Sequence, residues 1–241
     1  MNGIFVTGTD TSVGKTHVTC LLARCLRERG IRVGIYKPVC SGAEVTSDSP
    51  KGVFWPDVAQ LSAALDNQFP AEWICPQQFI APLAPPVAAA REGRAVDAGQ
   101  LRRGVDIWRD NVDLLLIEGA GGWRAPVTDS ETVAELATDL GFPVLLVSAN
   151  RLGMVSHTLL TIESIQSRGL TLCGVVVNPV QSDEDESRET NPQLLGSFTD
   201  VPVFGPLTWM PDPWLVQGPL QELIPLVEHC TRKGWFPRSP I

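Results

Sequence analysis

Val6-Thr7-Gly8-Thr9-Asp10-Thr11-Ser12-Val13-Gly14-Lys15-Thr16 closes a short apolar run and opens a helical pattern. A turn between strand and helix that ends in Gly-Lys-Thr is the setting in which backbone N–H groups surround phosphate oxygens. In such a loop Lys15 would reach the β- and γ-phosphates of a nucleotide, and the Thr16 hydroxyl would bind Mg2+. The spacing departs from the standard loop. Five residues separate Gly8 from Gly14 where the motif has four, and at the standard spacing Thr9 stands in place of the first glycine. No guanine-reading Asn-Lys-x-Asp follows the late apolar runs, because Asn178 precedes Pro179-Val180-Gln181. ATP is therefore the expected nucleotide.

Working outward, strand-length apolar runs recur at residues 4–7, 33–36, 114–117, 144–147, 173–177 and 201–204. Near-continuous hydrophobicity in short runs belongs to strands covered on both faces. Helical patterns at residues 15–29, 132–140 and 155–168 end at Gly30, Gly141 and Gly169, the glycine stops that helices favour. Strand–helix alternation predicts an α/β fold, a doubly wound and mostly parallel sheet with helices on both faces. Residues 220–230 predict a last helix perturbed by Pro225. The acidic stretch 182–189, SDEDESRE, reads as a solvated loop, and residues 205–219, dense in Pro and Trp, as an ordered irregular connection.

The chain has 241 residues and a formal charge of −8. Its acidity argues against a nucleic-acid binder and against a polybasic membrane-surface protein. No basic segment precedes the first apolar run, and no stretch approaches the roughly 20 apolar residues that span a bilayer. The expectation is a soluble, cytoplasmic protein. Six cysteines form no C-x-x-C pair and match no zinc spacing; Cys20, Cys25 and Cys173 sit inside apolar patterns as small buried hydrophobes. The 21 glycines and 20 prolines exceed ordinary usage. Only four lysines occur, Lys15, Lys37, Lys51 and Lys233.

Further segments sharpen the reading. Tyr36-Lys37-Pro38-Val39-x-Ser41-Gly42 follows the second run, and Asp57-Val58-Ala59-Gln60-Leu61 enters a helix. Pro82-Leu83-Ala84-Pro85-Pro86 and Glu92-Gly93-Arg94 come next, then Glu118-Gly119-Ala120-Gly121-Gly122-Trp123, then Arg151-Leu152-Gly153 to His157. Taken in this order, together with the loop, the segments resemble the dethiobiotin synthetases, ATP-dependent ligases of biotin synthesis, over roughly three quarters of the chain.

The resemblance implies a reaction joining CO2 to 7,8-diaminononanoate with MgATP through a carbamate and a carbamic-phosphoric anhydride, releasing ADP and phosphate. It implies Lys37 and Lys15 as catalytic residues, Ser41 and Ser156 on the substrate, and Thr16, Asp57 and Glu118 on Mg2+. Nucleotide contacts are implied for Ser12, Val13, Gly14, Lys15, Thr16, His17, Asp57, Glu118, Gly119, Ala120 and Gly121. Later contacts are implied for Asn178 and Pro179 at the adenine and for Thr208, Trp209 and Met210 after the last strand. A homodimer with the site near its interface is also implied, the helix start at Ser156 holding the substrate carboxylate across it.

On residues alone, several alternatives stay open. Asp57 suits a helix N-cap before Val58, Asn178-Pro179 suits a plain turn, and Trp209 suits packing. His157 reads as a helix-face residue. Ser12 replaces an acid of the family loop, Ser156 an asparagine, and Thr208 a proline. A MinD/ParA-like switch would carry a lysine early in the loop, where Thr9-Asp10 stands. Cobyrinate synthetases would need a glutaminase domain. A nucleotide-binding regulator without ligase activity is the non-enzymatic reading, and retention of Lys15, Thr16, Lys37, Asp57 and Glu118 argues against it.

Overall fold

A computed structural model describes residues 1–46, 52–180, 185–209 and 220–238. The first half runs β1 (Asn2–Gly8), α1 (Lys15–Arg27), β2 (Val33–Tyr36), β3 (Val39–Ser41), β4 (Glu44–Val45), β5 (Val53–Phe54) and α2 (Pro56–Ala64). Then come α3 (Ala71–Ile74), β6 (Gln77–Phe79), α4 (Pro85–Arg91) and α5 (Ala98–Arg103). The second half runs β7 (Leu114–Glu118), α6 (Val133–Leu140), β8 (Val144–Ala149), α7 (Met154–Gln166), β9 (Leu172–Asn178), α8 (Ser187–Gly196), β10 (Val203–Phe204) and α9 (Ile224–Arg232).

Six strands form one sheet in the order β10-β9-β8-β1-β7-β2, with every pairing parallel. The runs of Val, Leu and Ile that signal these strands are buried along almost their whole length, so both faces are covered. Helix α1 packs on β2 and β7 and against α2 and α9, whereas α7 packs on β8 and β9 and against α8. Strand β1 lies between β7 and β8, and the winding direction reverses there. In open α/β sheets the crevice at such a reversal, beyond the carboxyl ends of the strands, is where ligands bind. Gly8, Tyr36, Glu118, Ala149 and Asn178 are the final residues of their strands, and they frame that edge.

Several details differ from the sequence expectation. The last strand begins at Val203, not at residue 201. A 3-10 turn at Leu220–Leu223 precedes α9, and Pro225 starts that helix without perturbing it. In the first helical turn the missing proline N–H has no partner to lose. Two small strand pairs, β3 with β6 and β4 with β5, go unsignalled in the sequence. Of the acidic stretch 182–189, residues 182–184 lie outside the described residues, while 187–189 are not loop but the first turn of α8, which continues to Gly196. The Asp185 side chain accepts from the Ser187 N–H (3.0 Å) and hydroxyl (2.6 Å), which secures the first turn. Residues 205–209 are irregular as expected, and 210–219, with Met210, lie outside the described residues. All six cysteines are buried and free.

Helix α8 clamps the loop between β8 and α7. Buried Asn191 donates its side-chain N–H groups to Asn150 Oδ1 (3.0 Å) and to the Arg151 carbonyl (3.2 Å). Asp185 Oδ2 accepts the Leu152 N–H at 2.8 Å. Asn191→Ala orphans the buried Asn150 Oδ1 and removes the bond to the Arg151 carbonyl, and should lower unfolding stability by about 1–3 kcal/mol. Urea titration checks the loss, and the rate of trypsin cleavage after Arg151 should rise with it. An unchanged cleavage rate would show that α8 does not hold the loop.

Candidate active site

The phosphate-type loop hangs between the ends of three strands. Thr9 N–H donates to the Val147 carbonyl at 3.0 Å, and Trp123 N–H donates to the Gly8 carbonyl at 2.9 Å. Gly14 adopts the left-handed conformation, φ 90°, as the residue before α1. A Cβ there would lie 2.1 Å from Asn178 Nδ2, so both conformation and space demand glycine. No side chain caps α1, which leaves its first N–H groups facing the crevice for an anion.

Four charged side chains converge at the strand ends. Glu118 closes β7 with 0% exposure, and Oε1 accepts from the Thr16 hydroxyl and from Lys37 Nζ, each at 2.7 Å. Lys37 follows β2, is 4% exposed, and also pairs with Asp57 Oδ2. Asp57 is the second residue of α2, behind Trp55 as N-cap and Pro56, so it does not cap that helix. Lys15, 7% exposed, donates to the Asp10 carbonyl at 3.1 Å. Glu118 Oε2 is buried without a hydrogen-bond partner.

The charges answer to one another. Burial alone would lower Lys37, but Glu118 and Asp57 outweigh it and raise the ammonium well above the ordinary lysine value. Burial would raise Asp57, yet the Lys37 charge and hydrogen bond, with help from Lys15 and Thr16, hold it below the usual carboxylate range. Lys15 is pushed down to about 8, by burial first and then by Lys37, against the pull of Glu118. Burial also lowers His17.

These residues line one cavity of about 420 Å3, together with Thr11, Ser12, Gly14, Thr16, His17, Gln60 and Gly121. Gln60, unmarked in the sequence, lies three residues after Asp57 and so on the same face of α2. Ser12 is exposed and left-handed, with φ 57°. Gly119 turns toward the core, where a Cβ would come within 2.9 Å of Val133, and Ala120 packs against that core. Gly121 alone of the three borders the cavity.

The remaining expected residues are used otherwise or lie apart. The Ser41 hydroxyl donates to the Leu83 carbonyl at 2.5 Å. Asn178 is buried and donates to the Val13 carbonyl at 3.0 Å, which makes it more than a turn initiator; Pro179 follows, half-buried. Thr208 binds the Glu222 carboxylate through its N–H (2.7 Å) and hydroxyl (2.5 Å), beside exposed Trp209. Ser156 and His157 are exposed on the first turn of α7. An Asp10–Arg151 ion pair at 3.5 Å, unanticipated from sequence, joins the phosphate loop to the β8–α7 loop.

The depressed Lys15 makes stability depend on pH. Its proton leaves the folded chain near pH 8 but leaves an unfolded chain near 10.5. Between those values the unfolded state binds more protons, so stability rises with pH. Relative to Lys15→Met at the same pH, the wild type should gain about 1 kcal/mol per pH unit in that window. Denaturant unfolding at pH 7.5 and 9.5 measures the difference; a flat one would mean that burial does not depress Lys15.

The AAA domain family matches residues 2–213. The ATP-dependent dethiobiotin synthetase of Rhodopirellula baltica is 40% identical over 209 residues, covering 83% of this chain and 81% of that protein. The enzyme of the same name from Escherichia coli O157:H7 is 36% identical over 215 residues, covering 89% and 92%. Among solved structures, the cell division ATPase MinD of Pyrococcus furiosus has a TM-score of 0.56 at 19% identity, covering 97% of this chain and 100% of that one. Cobyrinic acid a,c-diamide synthase of Mycobacterium smegmatis has 0.53 at 13% identity, covering 100% and 98%. At such identities the structural likeness speaks to the α/β fold alone, which this chain shares with both competing readings. Sequence separates them: the chain belongs to the ATP-dependent dethiobiotin synthetase family.

Proposed function

We propose that this protein closes the cyclic urea of dethiobiotin from 7,8-diaminononanoate, CO2 and MgATP. One observation carries the site reading: Lys15, Lys37, Asp57, Glu118 and Thr16 meet in a single cavity at the mouth of the phosphate loop. In the reaction one amine adds to CO2 and loses a proton, giving a carbamate. A carbamate oxygen attacks the γ-phosphorus and ADP leaves. The second amine attacks the carbonyl carbon, the C–O bond to phosphate breaks, and the ring closes with loss of a second proton.

Phosphoryl transfer of this kind is catalysed by position and charge. The α1 N–H groups and Lys15 would cradle the β- and γ-phosphates. Lys37, kept protonated by two carboxylates, serves as a fixed cation between carbamate and γ-phosphate and not as a base. An incoming triphosphate would raise Lys15 again and hold its ammonium charged at higher pH, because an adjacent anion favours the charged form.

The donor set suits Mg2+, a hard cation that takes carboxylate, hydroxyl and phosphate oxygens. The unpartnered buried Oε2 of Glu118 is the atom that such a cation would satisfy. Thr16, Asp57 and Glu118 would hold the metal, which when bound neutralises developing phosphate charge. Ser41 would meet the substrate only by exchanging its bond to Leu83. Asn178 and Pro179 would border the adenine. Thr208, with Trp209 beside it, would meet the nucleotide only by releasing Glu222.

The described residues share one core around the six-stranded sheet, which supports reading residues 1–241 as a single domain. A homodimer fits the exposed face of α7 and the turn before it, where Leu160 (62% exposed) lies one helical turn from Ser156 and Leu152 (80%) stands in the preceding turn. No helix among the described residues is long and apolar enough to cross a membrane. We assign the protein to the cytoplasm, with small-molecule substrates and without nucleic-acid or membrane partners.

Purified protein with MgATP, bicarbonate and 7,8-diaminononanoate should form dethiobiotin, detected by mass spectrometry; substrate-dependent ADP release without it would overturn the ligase reading. Lys37→Ala should lower kcat by about 10²–10³ while ATP binding persists. Lys15→Ala should weaken ATP binding itself, measured by calorimetry. Full turnover in the Lys37 variant would remove that lysine from the mechanism.

A further inference from the structure

We propose that Asn178 is a positioning residue for the phosphate loop: it sets the Val13–Gly14 peptide so that the N–H groups opening α1 face the cavity. This extends the phosphate-loop reading above and needs nothing of the ligase chemistry. Asn178 ends β9 and is paired in register with Ala149 of β8. Its carbonyl accepts the Asn150 N–H at 2.8 Å, so its backbone is held on the sheet edge. From there the buried side chain crosses to a loop 165 residues earlier and donates Nδ2 to the Val13 carbonyl at 3.0 Å.

The contact fixes more than a distance. A carbonyl can only accept, so Val13 compels the nitrogen edge of the amide to face the loop. The space above Gly14 reports the same orientation: a Cβ built there would stand 2.1 Å from Nδ2 but 3.8 Å from Oδ1. The amide therefore lies flush against a peptide whose next residue holds φ 90°. Rotation of that peptide, which would turn the Gly14 N–H with it, breaks the bond that Asn178 donates to the Val13 carbonyl. One N–H and Oδ1 remain on the outer edge, where the family resemblance expects the adenine. A single rigid side chain would thus join base and phosphate loop.

A ligand without a base tests this. Inorganic tripolyphosphate and ATP, each with Mg2+, are titrated calorimetrically into wild type, Asn178→Ala and the isosteric Asn178→Asp, which lacks the donor. Both variants should bind tripolyphosphate about ten-fold more weakly, with ATP falling by at least as much. Tripolyphosphate affinity within two-fold of wild type would overturn the proposal, leaving Asn178 a base contact if ATP alone weakens. A wild type that binds neither ligand overturns the phosphate-loop reading and the proposal with it. If both variants fail to fold, the unaltered chain still decides by NMR. One Asn178 side-chain N–H should exchange slowly in nucleotide-free protein, and fast exchange of both would overturn the contact.

Discussion

A carboxylate with no exposure to solvent stands at the centre of this site, and the neighbouring elements are arranged around its demands. Removing an ionised carboxylate from water costs several kcal/mol unless charge and hydrogen bonds replace the lost hydration. Glu118 is met by Lys37 and Thr16 on one oxygen only. A structural ion pair would be expected to satisfy both, because buried polar atoms are almost always partnered. The unmatched Oε2 is the atom that the proposed Mg2+ would satisfy. It also fixes what surrounds it: the start of α1 must lie within hydrogen-bond reach of the end of β7, and the residue after β2 must be a cation.

Local charge is nearly balanced without ligand, two lysines against two acids, although the chain as a whole carries −8. That balance separates the roles of the lysines. Lys37 is held between carboxylates and stays charged, while Lys15, bonded to a backbone carbonyl, is left desolvated and depressed. A group in the second condition gains most from a phosphate, since the incoming charge removes the cost of burial. The whole-chain charge says little about the site, because fields in a low-dielectric crevice are set by the nearest groups.

Much of this was legible in the sequence where chemistry or packing leaves no freedom. Strands buried on both faces require unbroken apolar runs, so the runs at 114–117 and 144–147 read directly as β7 and β8. Gly14, Lys15, Thr16, Lys37, Asp57 and Glu118, singled out by the loop pattern and the family resemblance, do line one cavity, although Asp57 read equally well as a helix cap on its residues alone. Helix α8 was hidden for the opposite reason: its turn is secured by Asp185 and its buried face presents Asn191, so polar side chains do the anchoring that apolar periodicity normally signals. The Asn178–Val13 bond joins residues 165 apart and leaves no local trace. Ser41 and Thr208 were readable as residues but not in their contacts, which depend on where Leu83 and Glu222 fall in space.

The departure of the loop from standard spacing follows from how it is supported. A loop rich in glycine can take its shape from conformational freedom; here Thr9 occupies the usual glycine position and Ser12 is held at φ 57°, a region that costs a non-glycine residue on the order of 1 kcal/mol. Such a shape persists only if its surroundings over-determine it. They do: Val147 fixes Thr9, Trp123 fixes Gly8, Asn178 fixes Val13, and Arg151 pairs with Asp10. The partners come from the ends of β8 and β9 and from the loops that follow β7 and β8. The phosphate loop is thus shaped by the whole carboxyl edge of the sheet. Of these supports only Asn178 and Arg151 act through side chains, so substitutions at those two positions should alter phosphate binding before they alter the fold.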